Sequence, residues 1–585
     1  MLDDNKELLN KLFHKHATSA ALSMIGVQAC LMINSILAGK FFSGEGLAVM
    51  SVVSPIYSIY AAIGALTGIG GAIITAHSLG RDDKNSANEN FSCALFVCII
   101  ISIFVSIFGL TFQDQFLNLL GSSEKTFAMS KLYSETYLIG GVFTALFYMP
   151  YHFLKLTGHL KALILIFLLM AITNGIFDYL FCVKMKMSMN GIALGTISAS
   201  MITVLIGMLI LFRDFKVVKL NNLNCIRQLF RFGTPSALNQ FLNFARFVLM
   251  NNLLLMVAGH TGLVIFSVVK VIENLSTIIL SGISQATSAF VGVFFEEKDN
   301  VSIRRIERQA HLMSFELILI LILGVWLWSN EICNLFGIKD LYEKISVIDA
   351  IKIFSLSLMP SIVCMILSSY YQSTKFTRLA NLITAMRGFI LLFIPAYLLA
   401  PKYGVNMIWY SFTIAAIGTL IILAIVLMIN RKENQSTILK LDLKSEKSGS
   451  YRSFSVKSSV EEISEAIKGI EEYCENNNFT DKETMLVKLS MEEMMISIKD
   501  HCFKKSNETM DARIYSDEES IVLRIRSGGK LFNPIAYYQH MEDNDPLKFA
   551  LTDALGISMI SKSAKEVHYK STFGINNLTI VLDRS

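Results

Sequence analysis

Long apolar runs separated by short polar loops dominate the chain up to about residue 432. A bilayer core takes about 20 mostly apolar residues per helix. Windows of that character lie near 17–39, 46–79, 91–113, 132–154, 162–183, 191–212, 232–257, 263–295, 309–330, 350–374, 380–400 and 404–430, which predicts twelve transmembrane helices. The 46–79 and 263–295 windows are too long for one straight span and are rich in Gly and Ser, which let helix backbones approach closely. Beyond 432 the pattern changes. Residues 433–458 are polar and Ser/Lys-rich and read as a linker. Helical periodicity over 459–477 and 481–502, strand alternation at 513–515 and 521–526, a further helix near 551–563 and strands at 567–569 and 577–582 predict a small α/β sandwich. The expected fold class is an α-helical membrane protein, with twelve transmembrane helices in two six-helix halves (about 10–215 and 225–432), plus a small cytoplasmic α/β domain over 459–585.

Composition sharpens this division. Only 17% of the 585 residues are charged, against about 25% in a soluble domain. Residues 441–585 hold 43 of the 99 charged residues, so the membrane part is strongly depleted. The net charge of +5 offers no electrostatic partner, and no nucleic-acid partner or enzymatic active site is expected. Alternate loops carry the basic residues, among them Arg81 and Lys84, Arg227 and Arg231, Arg304 and Arg305, and Arg431 and Lys432. The positive-inside rule then places both termini in the cytoplasm of a multi-pass cell-membrane protein, with lipid around the spans. Nine cysteines form no CxxC and no Cys/His cluster, so no structural metal is expected. The polar start leads into an apolar run long enough to span, which reads as a first span and not as a signal peptide.

The halves repeat. Gly46-Leu47-x3-Ser51-Val52-Val53 returns as Gly262-Leu263-x3-Ser267-Val268-Val269, an offset of 216. Six spans per half give both halves one orientation, related by an axis along the membrane normal, with a substrate site expected between them near mid-membrane. Ionisable groups at that depth cost about 2.5–3.5 kcal/mol each and need a reason. Asp178 lies mid-span, with Asn174 four residues earlier on the same helical face. A desolvated carboxyl group can alternate between a neutral, protonated form and a charged form that holds Na⁺ or a cationic solute, or it can lock two helices. In the second half the corresponding candidates are Arg246, Lys270, Glu273 and Arg387, with Lys270 and Glu273 three apart and able to pair as a structural ion pair.

Several segments resemble the multidrug and toxic-compound extrusion (MATE) family. They are Asn34-Ser-Ile-Leu-Ala-Gly39-x4-Gly44-Glu-Gly-Leu-Ala48, Leu79-Gly80-Arg81-Asp82-Asp83, Asn174-x3-Asp178, Gly191-Ile-Ala-Leu-Gly-Thr196, Phe232-Gly-x-Pro235-Ser-Ala, Gly282-Ile-Ser-Gln285-Ala286 and Arg387-Gly388. The resemblance covers about residues 10–435. It implies a secondary active antiporter that exports small cationic or amphipathic compounds in exchange for H⁺ or Na⁺, with no cofactor beyond the coupling ion. It also implies a cation site in the first half. Asn174, Asp178 and Thr196 match that site, while the family's first-helix Asp falls on Ser35, beside Asn34. One carboxylate then stands where the family often has two, which weakens Na⁺ binding and favours a single-proton mechanism.

The tail resembles the histidine-kinase-like ATPase fold, closest to the anti-sigma-factor serine kinases, over about 453–583. The marks are Leu489-Ser-Met-Glu492-Glu493-Met-Met-Ile-Ser497, Ser527-Gly528-Gly529-x2-Phe532-Asn533-Pro534, Ala554-Leu-Gly556 and Gly574-Ile-Asn576. Glu493, Gly529 and Gly556 keep the family's positions. Ser497 replaces its Mg²⁺-binding Asn, Ser527 its adenine-binding Asp, and Ala554 a phosphate-side Gly. A hydroxyl is a poor substitute for an amide carbonyl at Mg²⁺, so ATP binding is doubtful and a regulatory domain, with a cytosolic protein as possible partner, is favoured. The rival readings of the whole chain are a lipid-linked oligosaccharide flippase of the same superfamily and a membrane sensor whose tail binds a cytosolic regulator.

Overall fold

The computed structural model describes residues 6–79, 83–220, 224–296, 299–374, 376–433, 450–503, 508–517, 519–530, 532–537, 560, 563–572 and 575–584. Two compact units are present: Ala17–Ser288 with Ala310–Ala424, and Met1–His16 with Ala289–Gln309 and Ile425–Ser585.

Helices in the first half of the chain are α1 (Lys6–Leu79), α2 (Lys84–Thr111), α3 (Gln113–Leu119), α4 (Glu124–Leu146), α5 (Tyr148–Leu156), α6 (Leu160–Tyr179) and α7 (Met189–Leu211). The second half holds α8 (Asn224–Glu296), α9 (Asn300–Leu327), α10 (Ser329–Leu335), α11 (Leu341–Leu356), α12 (Leu358–Ser373), α13 (Thr377–Ala385), α14 (Leu391–Tyr403) and α15 (Asn406–Glu433). Among the described residues nine helices are long and apolar enough to cross a membrane, or ten with the bent pair α11–α12 counted as one.

Two of these rods are broken. α1 is interrupted at Ser43 (φ 53°) and α8 at Gly259 (φ 58°). A Cβ at Gly46 would press on the Ala38 carbonyl, and one at Gly262 on the Leu254 carbonyl. Eight residues of unbroken helix would separate such atoms by about 12 Å. The chain therefore folds back at each break, which separates the 17–39 window from 46–79 and the 232–257 window from 263–295 and leaves each of the two long windows as one helical arm.

Both breaks fall at the predicted offset, since 43 and 259 differ by 216. The same offset relates α2 to α9 and α3 to α10, end for end. It also relates the kinks at Phe112 (φ −110°, ψ 31°) and Trp328 (φ −107°, ψ 27°). Gly121 (φ +85°) and Gly337 (φ +68°) obey it too, and each contacts the opposite half: Gly121 meets Asn251, and Gly337 meets Gly39. Positive φ is open to glycine at little cost, and the missing side chain lets the halves touch there. Asn251 and Ser51 tighten the seam, with Asn251 Nδ2 donating to the Ser51 carbonyl at 2.9 Å and Ser51 Oγ donating to the Leu263 carbonyl at 2.9 Å. Each half also carries a π-helical turn, at Leu180–Lys184 and at Met386–Ile390.

In the other unit the tail forms β1 (Ser450–Lys457), α16 (Val460–Asn476), α17 (Asp481–Cys502), β2 (Thr509–Ser516), β3 (Ser520–Ser527), β4 (Glu566–Thr572) and β5 (Ile575–Asp583). The sheet is antiparallel in the order β1-β2-β3-β5-β4. Ser459 caps α16, and a Thr480/Glu483 capping box starts α17. Alternation sends Met510, Ala512, Ile514, Ile521, Leu523, Ile525, Leu578 and Ile580 into a core with Ile463, Ile470, Met491 and Met494. Burying each large apolar side chain stabilises by about 1.5–3 kcal/mol. Residues 450–457, placed in the linker by their polar composition, are instead strand β1. Val456 joins the core while Ser453 and Ser455 take the other face, so an alternation masked by serines carries the strand. Most of the predicted 551–563 helix, with Gly556, lies outside the described residues.

Candidate functional site

The first candidate site is built where α6 gives way to its π-turn. Asn174 and Asp178 share one face of α6, Asn34 comes from α1 and Thr196 from α7. Asn34, Asn174, Asp178 and Thr196 are all buried. With the Asn34 amide turned to satisfy its neighbours, its nitrogen donates to Asp178 Oδ2 at 2.8 Å, to Asn174 Oδ1 at 3.1 Å and to the Cys30 carbonyl at 3.0 Å, and its oxygen accepts from Thr196 Oγ1 at 2.8 Å. Asn174 Nδ2 donates to Thr196 Oγ1 at 3.4 Å. Asp178 Oδ1 has no hydrogen-bond partner among the described residues. It lies against Gly195, where a Cβ would collide with it. A fully buried carboxylate without a cation is costly while charged, and a bound proton removes that charge. A π-turn immediately after Asp178 widens the helix where the site sits; such turns recur at functional positions.

Four of the residues read from the sequence are thus brought together. Ser35 is near but turned away, its hydroxyl donating to the Leu31 carbonyl at 3.0 Å. Gly195 was not singled out, although it stands beside Thr196. Only its approach to Asp178 reveals it, because a small residue has no chemical signature of its own.

The second-half candidates meet as well, in a different pairing from the one expected. Glu273 pairs with Arg246 at 2.8 Å and not with Lys270. Lys270 Nζ sits 3.8 Å from the centre of the Phe247 ring. Helical spacing permits the Lys270–Glu273 pair, but the fold-back at Gly259 brings Arg246 and Phe247 alongside them. Arg387 lies in the π-turn of the second half, within electrostatic reach of Arg246 and Glu273.

In the tail, Ser497 is buried on α17 and Glu493 is half-buried. Ser527 is fully buried, its hydroxyl accepting from Asn576 Nδ2 at 3.3 Å. Asn576 Nδ2 also donates to the Lys530 carbonyl at 3.0 Å, and its oxygen accepts from the Phe532 amide at 3.0 Å. Asn576 thus ties Ser527 to the segment Lys530–Phe532. Gly529 adopts φ +86° against the Cys502 carbonyl.

The same unit holds a contact that spacing did not suggest. Asp299 caps α9, its oxygens accepting from the Ser302 amide at 3.0 Å and from Ser302 Oγ at 2.7 Å. Three arginines from the outer face of the tail sheet also reach it: Arg513 at 2.7 Å, Arg526 at 2.8 Å and Arg524 at 3.4 Å. Arg513 and Arg524 are direct cross-strand partners, an arrangement that like charges disfavour. The Asp299 carboxylate compensates it. Burial alone would push the Asp299 carboxyl up; the arginines outweigh burial and hold it well below the ordinary carboxylate range.

An internally repeated helical fold, with one buried carboxylate among the described residues of its first half and a basic cluster in its second, defines a multi-pass membrane transporter. The MatE family profile matches residues 19–180 and 235–398, more than half of the chain, and the chain belongs to the MATE family of multidrug efflux transporters. It is 21% identical over 394 residues to the "Multidrug export protein MepA" of Staphylococcus aureus (strain MSSA476), covering 66% of this chain and 86% of that one. Its fold is similar to that of a multidrug resistance MATE family transporter of the MOP superfamily solved in an inward-facing conformation, with a TM-score of 0.65, 18% identity and 73% and 99% of the two chains covered. For an outward-facing structure of such a transporter the TM-score is 0.57, with 19% identity and 72% and 96% covered. The tail lies outside both matched ranges.

Proposed function

We propose that this chain is a proton-coupled efflux antiporter whose coupling group is Asp178. The observation that carries the reading is the fully buried Asp178 carboxyl group, ringed by Asn34, Asn174 and Thr196, with no hydrogen-bond partner for its Oδ1 among the described residues. A single carboxylate stands at this site, which weakens Na⁺ binding and favours H⁺ as the counter-ion. Counting each broken rod as two spans, and the bent pair as one, gives the twelve spans expected, with both termini in the cytoplasm. Alternating access then rocks the two repeats about the seam at Ser51, Gly121, Asn251 and Gly337. The solute is small and amphipathic; the family resemblance on its own favours a cation. Reconstituted into vesicles with an imposed pH gradient, the wild type exchanges solute in Na⁺-free buffer and Asp178→Asn does not. Exchange by Asp178→Asn at the wild-type rate and pH dependence would overturn the assignment.

The tail acts in this reading as a regulatory domain without ATP turnover. Two observations favour it: Asn576 fills the ground beside Ser527, and the arginine trio holds the N-terminus of a helix that the hydropathy reads as a span.

A further inference from the structure

The charges of the second half sit oddly with a cationic solute. Arg246, Lys270, Glu273 and Arg387 lie inside their apolar segments, seven or more residues from either end, and come from three stretches of chain, the two arms of α8 and the π-turn before α14. All four side chains are half-buried. Charged groups at that depth face the bundle interior or a water-filled cavity and not lipid. Among the described residues, the salt bridges within the cluster are limited to Arg246–Glu273. Glu273 and Arg246 act electrostatically on both Lys270 and Arg387. Three cations against one carboxylate leave a net charge of +2 when all are ionised. A structural role as an ion pair accounts for Arg246 and Glu273, and it leaves Lys270 and Arg387 uncompensated.

Aromatic surface adjoins these cations. Lys270 Nζ is 3.8 Å from the Phe247 ring centre and 5.8 Å from that of Phe266, and Arg246 lies 5.3 Å from Phe247. Phe266 in turn stacks on the fully buried Trp409, with ring centres 6.4 Å apart. Cation–π contact holds an ammonium or guanidinium group in place without neutralising it. Glu273, the carboxylate of this cluster among the described residues, is engaged by Arg246.

We propose that the second half holds the solute-binding site and that its ligand is an amphipathic aromatic anion. The anionic head is taken by Lys270 and Arg387, and the rings lie along Phe247 and Phe266. Glu273 keeps Arg246 oriented and is a positioning residue. This departs from the cationic solute that the resemblance favours, and it rests on the transporter reading above only for the direction of movement. A first-half proton site and a second-half anion site then divide the work, so that neither ligand needs the other's residues.

The test is equilibrium binding to the purified full chain in lipid nanodiscs at neutral pH, with pyrenesulfonate and the cation pyrenylmethyl-trimethylammonium as probes sharing one aromatic body. The expected result is saturable binding of the anion and at least about tenfold weaker binding of the cation. Lys270→Gln and Arg387→Gln each weaken the anion about tenfold or more, while Lys270→Arg and Arg387→Lys retain most of the affinity. A thermal melt of each variant separates lost charge from lost fold. Tighter binding of the cation, or anion binding unmoved by both glutamine variants, would overturn the inference. Anion that binds through Lys270 and Arg387 but does not cross proteoliposomes would uphold this site and overturn the transport reading instead.

Discussion

Asp178 and Asp299 are both fully buried acids, and their partners give them opposite chemistry. Around Asp178 stand an amide donor, a hydroxyl and a glycine, and its Oδ1 has no hydrogen-bond partner among the described residues. Around Asp299 stand three guanidinium groups and the first turn of α9, so its charge is fixed. The sign of the pH dependence at Asp299 follows. Its carboxyl is held well below its ordinary value, against the pull of burial, by Arg513, Arg526 and Arg524. A depressed carboxyl contributes stability that is fully present above the unfolded value of about 3.9 and is lost as pH falls through the lower, folded value. Hydrogen-exchange protection of β2 and β3 should therefore stay level from neutral pH down to about 4 and fall only in stronger acid. A decline between neutrality and about pH 5 would show that the arginines do not set this carboxyl.

At the scale of elements the two broken rods are the informative parts. Both reverse at positive φ with ψ near −145°, a region that costs a side-chain-bearing residue about 1–3 kcal/mol. Gly259 meets this without strain, and Ser43 does not. Ser43→Gly should raise the thermal midpoint of the purified protein, by a gain of about 1 kcal/mol, and Gly259→Ala should lower it by a similar amount. Equal midpoints for wild type and Ser43→Gly would mean that the turn is not strained. The apolar windows and the Gly46/Gly262 repeat were legible from the chain because bilayer length and backbone approach both leave marks in composition. The reversal points were bracketed by the gaps 40–45 and 258–262 between the windows, but the turning residue of the first was not legible, since Ser43 carries no turn signature. Asn174 and Asp178 were legible from their spacing, whereas the Arg246–Glu273 pair was hidden because it forms across a fold-back and not along one helix.

At the scale of the whole molecule, the repeat supplies its own control for the role of the tail. Asp83 and Asp299 are separated by the same offset of 216 and make the same cap, to Ser86 at 3.0 and 2.6 Å and to Ser302 at 3.0 and 2.7 Å. Among the described residues the Asp83 side chain bonds only within its cap, and those bonds are exposed. Asp299 has been enclosed by Arg513, Arg524 and Arg526. Tail and cap are far apart in sequence, so only the fold could reveal that one copy of a repeated aspartate had gained a second use. If the tail regulates transport through this contact, removing residues 445–585 changes the exchange rate, and Asp299→Asn changes it in the same direction. Breaking a buried charge pair costs about 3–5 kcal/mol, so Asp299→Asn should also loosen β2 and β3 in hydrogen exchange. Asp83→Asn, which keeps a capping side chain, should move neither readout. Transport unaltered by the deletion would make the tail an output independent of the pump. Transport altered by the deletion but not by Asp299→Asn would shift the regulatory contact away from the arginine trio. The comparison is decisive because the two substitutions remove the same charge from the same local motif and differ only in what the tail has placed around it.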